Sequence, residues 1–204
     1  DLYILKIMSE IEIIDATGSN SKLIYLIETQ NYSDDLRELI KLIEENSSCV
    51  YDALSDGYTA LHFAAWDGNT DVVKLLIEKG AKVDAKGLDG YTPFLLAAAN
   101  GHYSSSVILV ENGANINHLA NSIEDTRGSS GTSAIRMAAI NQEWNVVDYL
   151  ISKNVSLDTL TEPCLGKPGG YENLIDVIRY FGKTNENVIH NEKKLQELEK
   201  LIKP

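Results

Sequence analysis

The residue types that could carry out catalysis in this chain are two cysteines and four histidines, together with one glycine-rich stretch. Cys164 and a histidine could act as a nucleophile and its base, but such a pair also requires an oxyanion site, which nothing in the sequence supplies. Residues 166–170 have the composition of a phosphate-binding loop. They lack the upstream glycine, and Pro168 stands where serine or threonine is required, so we interpret them as an ordinary loop.

The histidines do not have the spacing of metal ligands. The sequence contains neither HExxH nor CxxC, so we predict no metal, no cofactor and no catalytic residue. His62 and His102 lie within a repeated pattern, where a structural role is expected. Cys49 and Cys164 belong to opposite ends of the chain, so we expect no disulfide between them and a reducing compartment.

A self-similarity at an interval of 33 residues indicates which structure must position these side chains. Residues 57–65, Gly-Tyr-Thr-Ala-Leu-His-Phe-Ala-Ala, recur at 90–98 as Gly-Tyr-Thr-Pro-Phe-Leu-Leu-Ala-Ala, and residues 72–81 recur at 105–114. A third copy and a degraded fourth copy follow, at 131–139, 145–154 and 170–178. A fixed interval of this length is typical of stacked-repeat folds, which form extended binding surfaces.

These residues resemble the ankyrin repeat, whose pattern runs Gly-x-Thr-Pro-Leu-His-x-Ala-Ala, then a glycine, then an apolar helix that ends in Gly-Ala. The resemblance implies an all-α solenoid of about five stacked helix-turn-helix units with β-hairpin-like loops. It divides the chain into an N-terminal helical extension, 1–20, and an ankyrin-repeat domain, 21–204. The expected repeats are approximately 21–53, 54–86, 87–127, 128–166 and 167–204.

Local signals at the expected helix ends agree with this fold. Thr59, Thr92 and Ser133 each precede an apolar helical stretch, as N-cap residues do, and Pro93 falls at the first helical position, where its missing N–H costs nothing. Left-handed residues that end the outer helices are expected at Gly80, Gly113 and Asn154.

Two substitutions depart from the repeat pattern. Gln142 replaces the glycine that stands between the helices of the other copies, so we expect either that Asn141 takes the left-handed turn or that the turn differs. Ser105 and Ser106 occupy positions that are valines elsewhere, so the second outer helix is expected to pack more loosely. At the C-terminus, residues 187–203 predict an amphipathic capping helix with its apolar side chains inward, at Leu195, Leu198 and Ile202.

In ankyrin-like stacks, the loop tips and the exposed faces of the inner helices form a concave groove. Equivalence of position predicts a set of partner-binding residues in this groove: Asp56, Tyr58, Trp66, Asp67, Leu88, Asp89, Tyr91, Asn100, Thr132, Ile140, Asn141 and Arg179. Trp66 is the most informative, because a tryptophan at a solvent-facing position is often an interface anchor. The alternative is that Trp66 packs over a neighbouring repeat. Aromatic rings beside aspartates suit a lysine- or arginine-bearing segment.

Two insertions give a second candidate surface. Residues 119–128 and 159–168 lengthen hairpin tips on one side of the stack, and long loops on a rigid scaffold often carry recognition. Neutral elaboration of surface loops is the alternative interpretation.

The composition limits the class of partner. The formal net charge is −12 and the isoelectric point is about 4.7, which argues against a non-specific nucleic-acid binder. This net negative charge favours partners with a basic face, although a need for solubility alone would also explain it. No stretch of the sequence reaches the roughly 20 apolar residues that a membrane span needs.

The sequence therefore predicts a non-enzymatic protein–protein interaction module that presents an acidic and aromatic groove to a basic peptide or protein. One version is a monomeric microbial effector or inhibitor, located in the cytoplasm or delivered into a host cytosol, since the many isoleucines and asparagines are typical of an AT-rich genome. The alternative is a targeting domain of a larger enzyme whose catalytic part is absent from this chain. A third interpretation places a catalytic or cofactor site in the insertions.

Overall fold

The computed structural model describes residues 19–28, 36–121, 131–161 and 188–202. Several sequence predictions lie outside these residues: most of the extension 1–20, most of the insertions, Cys164 and the degraded copy at 170–178. Within the described ranges the chain is helical, and its only β-type pairings are two isolated antiparallel bridges, Ala53–Thr59 and Ala120–Thr132.

The helices follow one another in short pairs. In chain order they are α1 (Ser19–Glu28), α2 (Arg37–Glu45), α3 (Ala60–Trp66), α4 (Thr70–Glu78), α5 (Pro93–Ala99), α6 (Tyr103–Glu111), α7 (Ala134–Ile140), α8 (Trp144–Ser152), α9 (Asp158–Thr161) and α10 (Val188–Ile202). Single 3₁₀ turns lie at Ser47–Val50 and Leu88–Gly90.

The pairs stack side by side, with inner helices against inner helices and outer against outer. Helix α3 packs between α1 and α5, and α5 packs on α7; in the outer layer α6 packs between α4 and α8. Leu61, Phe94 and Ile135 are fully buried at equivalent positions of the three inner helices. The neighbouring alanine pairs are buried as well, and such small side chains allow close approach of inner helices.

Hydrogen bonds at the helix ends explain where the inner helices begin. The Thr92 hydroxyl accepts from the Leu95 N–H at 3.3 Å and the Ser133 hydroxyl accepts from the Arg136 N–H at 3.2 Å, which confirms both predicted N-caps. Thr59 occupies the equivalent position before α3. Its own N–H donates to the Nδ1 atom of His62 at 3.0 Å, so the side chain three residues on completes that cap.

Left-handed backbone conformations end the outer helices as predicted. The φ angles are 94° at Gly80, 93° at Gly113 and 57° at Asn154. The prediction for the third inner-helix turn is wrong, because Gln142 itself has a φ of 62° whereas Asn141 has −84°. The Gln142 N–H still donates to Ala139 O, as glycine does at this place in the other copies. The turn is thus retained at a strain cost of about 1 kcal/mol.

Helix α6 has serines on its buried face. Ser105 and Ser106 are both buried, where α4 and α8 bury valines. The Ser105 hydroxyl lies 3.3 Å from that of Thr70, but the Ser106 hydroxyl has no hydrogen-bond partner in the described part of the chain. An unsatisfied buried hydroxyl costs about 1–3 kcal/mol, so this helix contributes less to the stack than its neighbours.

The C-terminal helix forms as predicted. Helix α10 buries Leu195 and Leu198, and Ile202 packs at the edge of the core. The Lys194 ammonium contacts both carboxylate oxygens of Asp148 on α8, at 2.9 and 2.7 Å. This ion pair joins α10 to the outer helical layer.

Candidate functional site

The C-terminal ends of the inner helices form one continuous row, which we call the inner-helix row. It consists of the last helical residue and the residue after it in each repeat: Trp66 and Asp67, Ala99 and Asn100, Ile140 and Asn141. Trp66 and Ile140 are partly buried and pack against the core, whereas Ala99 between them is almost completely buried. The row is therefore a shallow surface with one aromatic and one aliphatic side chain.

Side chains of each repeat hold a main-chain carbonyl of the repeat before it. The Asn141 amide donates to Ala99 O at 2.6 Å, and the Asn100 amide donates to Trp66 O at 3.5 Å. His102 Nε2 also donates to Trp66 O, at 2.7 Å. These bonds fix Trp66 relative to the next repeat, so the surface is formed before any partner arrives.

Two of the predicted groove residues are instead part of the core. Tyr58 is 1% exposed and Tyr91 is 6% exposed, so the prediction that they face a partner is wrong. The Tyr58 ring packs edge-to-face on His62 at 5.1 Å, and a Cβ atom at Gly87 would lie 2.8 Å from it. A glycine in the neighbouring loop thus leaves room for the ring, whose burial is more favourable than its display.

His62 links two repeats from a fully buried position. Because the Thr59 N–H can only donate, Nδ1 of His62 is an acceptor, and Nε2–H donates to Tyr91 O at 3.1 Å. The ring is thus neutral, with its proton on Nε2. Burial lowers the pKa of His62 from 6.5 to about 4, against the effect of its carbonyl partners. The expected structural role of His62 agrees with this geometry.

Three loops precede the inner helices, and we call them the finger loops: 53–59, 86–92 and 119–132. Their hydrogen bonds repeat, since Leu54 N–H donates to Tyr58 O at 2.9 Å and Gly87 N–H donates to Tyr91 O at 2.8 Å. In the third loop Ala120 and Thr132 exchange both main-chain bonds, at 3.0 and 2.8 Å. Most of the first insertion follows Ala120 in the sequence, and residues 122–130 lie outside the described part.

The remaining predicted residues have different degrees of exposure. Leu88 is 45% exposed at a finger tip. Asp56 is partly buried, with Oδ1 accepting from the Tyr58 N–H at 3.2 Å, and Asp67 and Thr132 are also partly buried. The side chain of Asp89 and the whole of Arg179 lie outside the described residues.

A cleft on the outer face was not predicted from the sequence. Its volume is about 530 Å³, and it is lined by Tyr103, Asn145, Asp148, Tyr149 and Ser152. The two tyrosine rings meet edge-to-face at 5.6 Å, and the Lys153 ammonium lies 5.4 Å from the centre of the Tyr149 ring. Burial raises the pKa of Tyr149. The one available signal was Tyr149 itself, which stands where α4 has Leu75.

The described residues offer little for catalysis or metal binding. Throughout these ranges, no group of three or more His, Cys, Asp and Glu side chains could hold a metal ion. Cys49, the described cysteine, is buried, and burial raises the pKa of its thiol, which disfavours the reactive thiolate. Among the described helices, none has the length and apolar character needed to cross a membrane.

Comparison with known proteins identifies the repeats. Residues 23–120 match the family model for ankyrin repeats, described as three copies. The match and the stacked helical pairs confirm the fold class predicted from the sequence. A search of the curated proteins found no match to this chain.

Proposed function

Because this chain is an ankyrin-repeat protein, we propose that it binds a basic peptide or the basic face of a protein through the inner-helix row and the finger loops. Ankyrin repeats are generally protein–protein interaction modules and typically not catalytic. A non-enzymatic, monomeric binding protein is accordingly part of the proposal, as is a cytoplasmic or host-cytosolic location for it.

The observation that carries the proposal is the position of Trp66 beside Asp67. Trp66 is partly exposed at the end of α3, while two side chains of the next repeat bind its carbonyl. A guanidinium or ammonium group over an indole ring gains about 0.5–2 kcal/mol, and an adjacent carboxylate adds to the attraction. Asp67 follows Trp66 directly and Asp56 lies in the first finger loop.

The burial of Tyr58 and Tyr91 narrows the proposed surface. Trp66 is then the one aromatic residue of the proposed surface. Its acidic residues are Asp56 and Asp67, with Asp89 as a further predicted member. The polar and aliphatic remainder of the proposed surface consists of Leu88, Asn100, Thr132, Ile140 and Asn141. The net charge of −12 attracts a basic partner over a longer range than these contacts.

The proposal predicts weaker binding when Trp66 or Asp67 is changed. At physiological ionic strength, Trp66→Ala and Asp67→Lys are each expected to reduce affinity for a fluorescent peptide of alternating arginine and serine about tenfold, as loss of an interface anchor does. Fluorescence anisotropy measures the affinity, and circular dichroism establishes that each variant is folded. A peptide of alternating glutamate and serine serves as the charge control.

Asp71→Lys is the matched control variant. It makes the same change of charge on α4, where the Asp71 side chain is 77% exposed on the outer layer. Because this exposed side chain lies on a helix outside the proposed surface, the affinity of the variant is expected to stay within about twofold of the unchanged protein. Unaltered binding by folded Trp66→Ala and Asp67→Lys proteins, or an equal loss in Asp71→Lys, would refute the proposed surface.

A further inference from the structure

Two large aliphatic side chains are exposed on adjacent finger loops. Leu88 is 45% exposed and Leu119 is 42% exposed. Leu88 lies in a turn in which Gly90 N–H donates to Gly87 O at 3.0 Å, so its backbone is held in place while nearly half of the residue stays exposed.

The two loops that carry these leucines are in contact. His118 Nε2 donates to Gly90 O at 2.8 Å, which joins the residue before Leu119 to the turn that contains Leu88. A Cβ atom at Gly90 would lie 3.7 Å from the Cα of Ala120. The leucines therefore belong to one ridge of two linked loops.

Comparison within the chain indicates that the fold does not require leucine at either position. The residues equivalent to Leu88 in the other finger loops are Ser55 and Asn121, and both are exposed. Leu119 is equivalent to Ala53 and Lys86, which are exposed too. The same main-chain pairing at the base of each loop thus forms with small or polar residues at these positions.

We propose that the segment held by the groove carries an apolar side chain that packs on Leu88 and Leu119, so that the recognised pattern is basic and apolar together. This inference rests on the proposed function, because it assumes that the same surface holds a basic segment. Charge complementarity selects this occupant over a second copy of the chain: each copy carries a net charge of −12 and would repel the other.

The test compares two labelled peptides, one of alternating arginine and leucine and one of alternating arginine and serine. The unchanged protein is expected to bind the leucine peptide at least tenfold more tightly, since covering the exposed half of each leucine is worth about fivefold in affinity. The double variant Leu88→Ser, Leu119→Ser is expected to lose this preference and to bind the two peptides with equal affinity. Leu201→Ser, which removes an exposed leucine from α10, is expected to change neither affinity.

Each outcome separates this inference from the proposed function. Binding of both peptides by the unchanged protein with equal affinity, or a preference that survives in the double variant, overturns the inference and leaves the basic groove intact. Failure of the unchanged protein to bind either peptide overturns both. Sedimentation velocity adds one more outcome: self-association that depends on the two leucines would identify a second copy as the occupant and contradict the proposal.

Discussion

Replacement of Gly57 by alanine is expected to lower the free energy of unfolding by about 2–5 kcal/mol. Gly57 has a φ of +85°, a conformation that costs an alanine about 1–2 kcal/mol. The new Cβ would also lie 2.8 Å from Lys86 O and 3.3 Å from the Cα of Gly87. Both are main-chain atoms of the next finger loop, so relief requires the two repeats to separate, at a further cost of about 1–3 kcal/mol.

Gly113→Ala is the matched control for this prediction. Gly113 has a φ of +93°, but no atom lies within 4 Å of the added Cβ. The free energy of unfolding of Gly113→Ala is expected to fall only by about 1–2 kcal/mol, the cost of a left-handed backbone conformation for alanine. Urea unfolding followed by circular dichroism measures both variants, and the difference between them isolates the contact between repeats. Equal losses in the two variants would contradict the close approach of the first and second finger loops.

Acidification is expected to destabilise the protein through His62. Its pKa is about 4 in the folded protein, compared with the ordinary histidine value of 6.5 that applies to the unfolded chain. Because the folded pKa is the lower one, the unfolded chain takes up the proton first. The contribution of neutral His62 to the free energy of unfolding is therefore fully present above pH 6.5 and is lost as pH falls towards 4. The total loss is about 3 kcal/mol, of which about 2 kcal/mol is lost between pH 7 and pH 5.

The measurement compares the unchanged protein with His62→Gln by urea unfolding at several pH values. Glutamine can accept from the Thr59 N–H, as the third residue of a capping box does, but it does not titrate. Burial raises the pKa of Asp52 and Glu143, so the titration of these carboxyl groups makes the folded state more stable as pH falls, opposite to the effect of His62. Because both proteins contain these two residues, their effect cancels in the comparison. Parallel pH profiles for the two proteins would show that His62 is not the buried titrating group described above.

The parts of the fold that local residues determine were predictable from the sequence. The caps at Thr92 and Ser133 and the left-handed ends at Gly80, Gly113 and Asn154 each depend on a few neighbouring residues. Repetition of the pattern, 33 residues apart in the first two copies and 41 before the third, placed these signals in register, and stacking of like helices followed from it.

The way in which side chains pack between neighbouring repeats was harder to predict. Sequence equivalence placed Tyr58 and Tyr91 in the finger loops but did not show that space at Gly87 admits a ring into the core. The left-handed conformation of Gln142 was not predicted, because the hydrogen bonds of the turn outweigh the strain of one left-handed residue. The outer cleft at Tyr103 and Tyr149 exists only when two repeats are packed together.

The most direct test of the central proposal is hydrogen exchange of the protein with and without the peptide of alternating arginine and serine. Exchange slows where a partner covers or rigidifies the backbone. Slower exchange is expected at the C-terminal end of α3 and in the finger loops 53–59 and 86–92, with α4, α6 and α8 unchanged. Slowing confined to those outer helices would contradict it and assign binding to the opposite face of the stack.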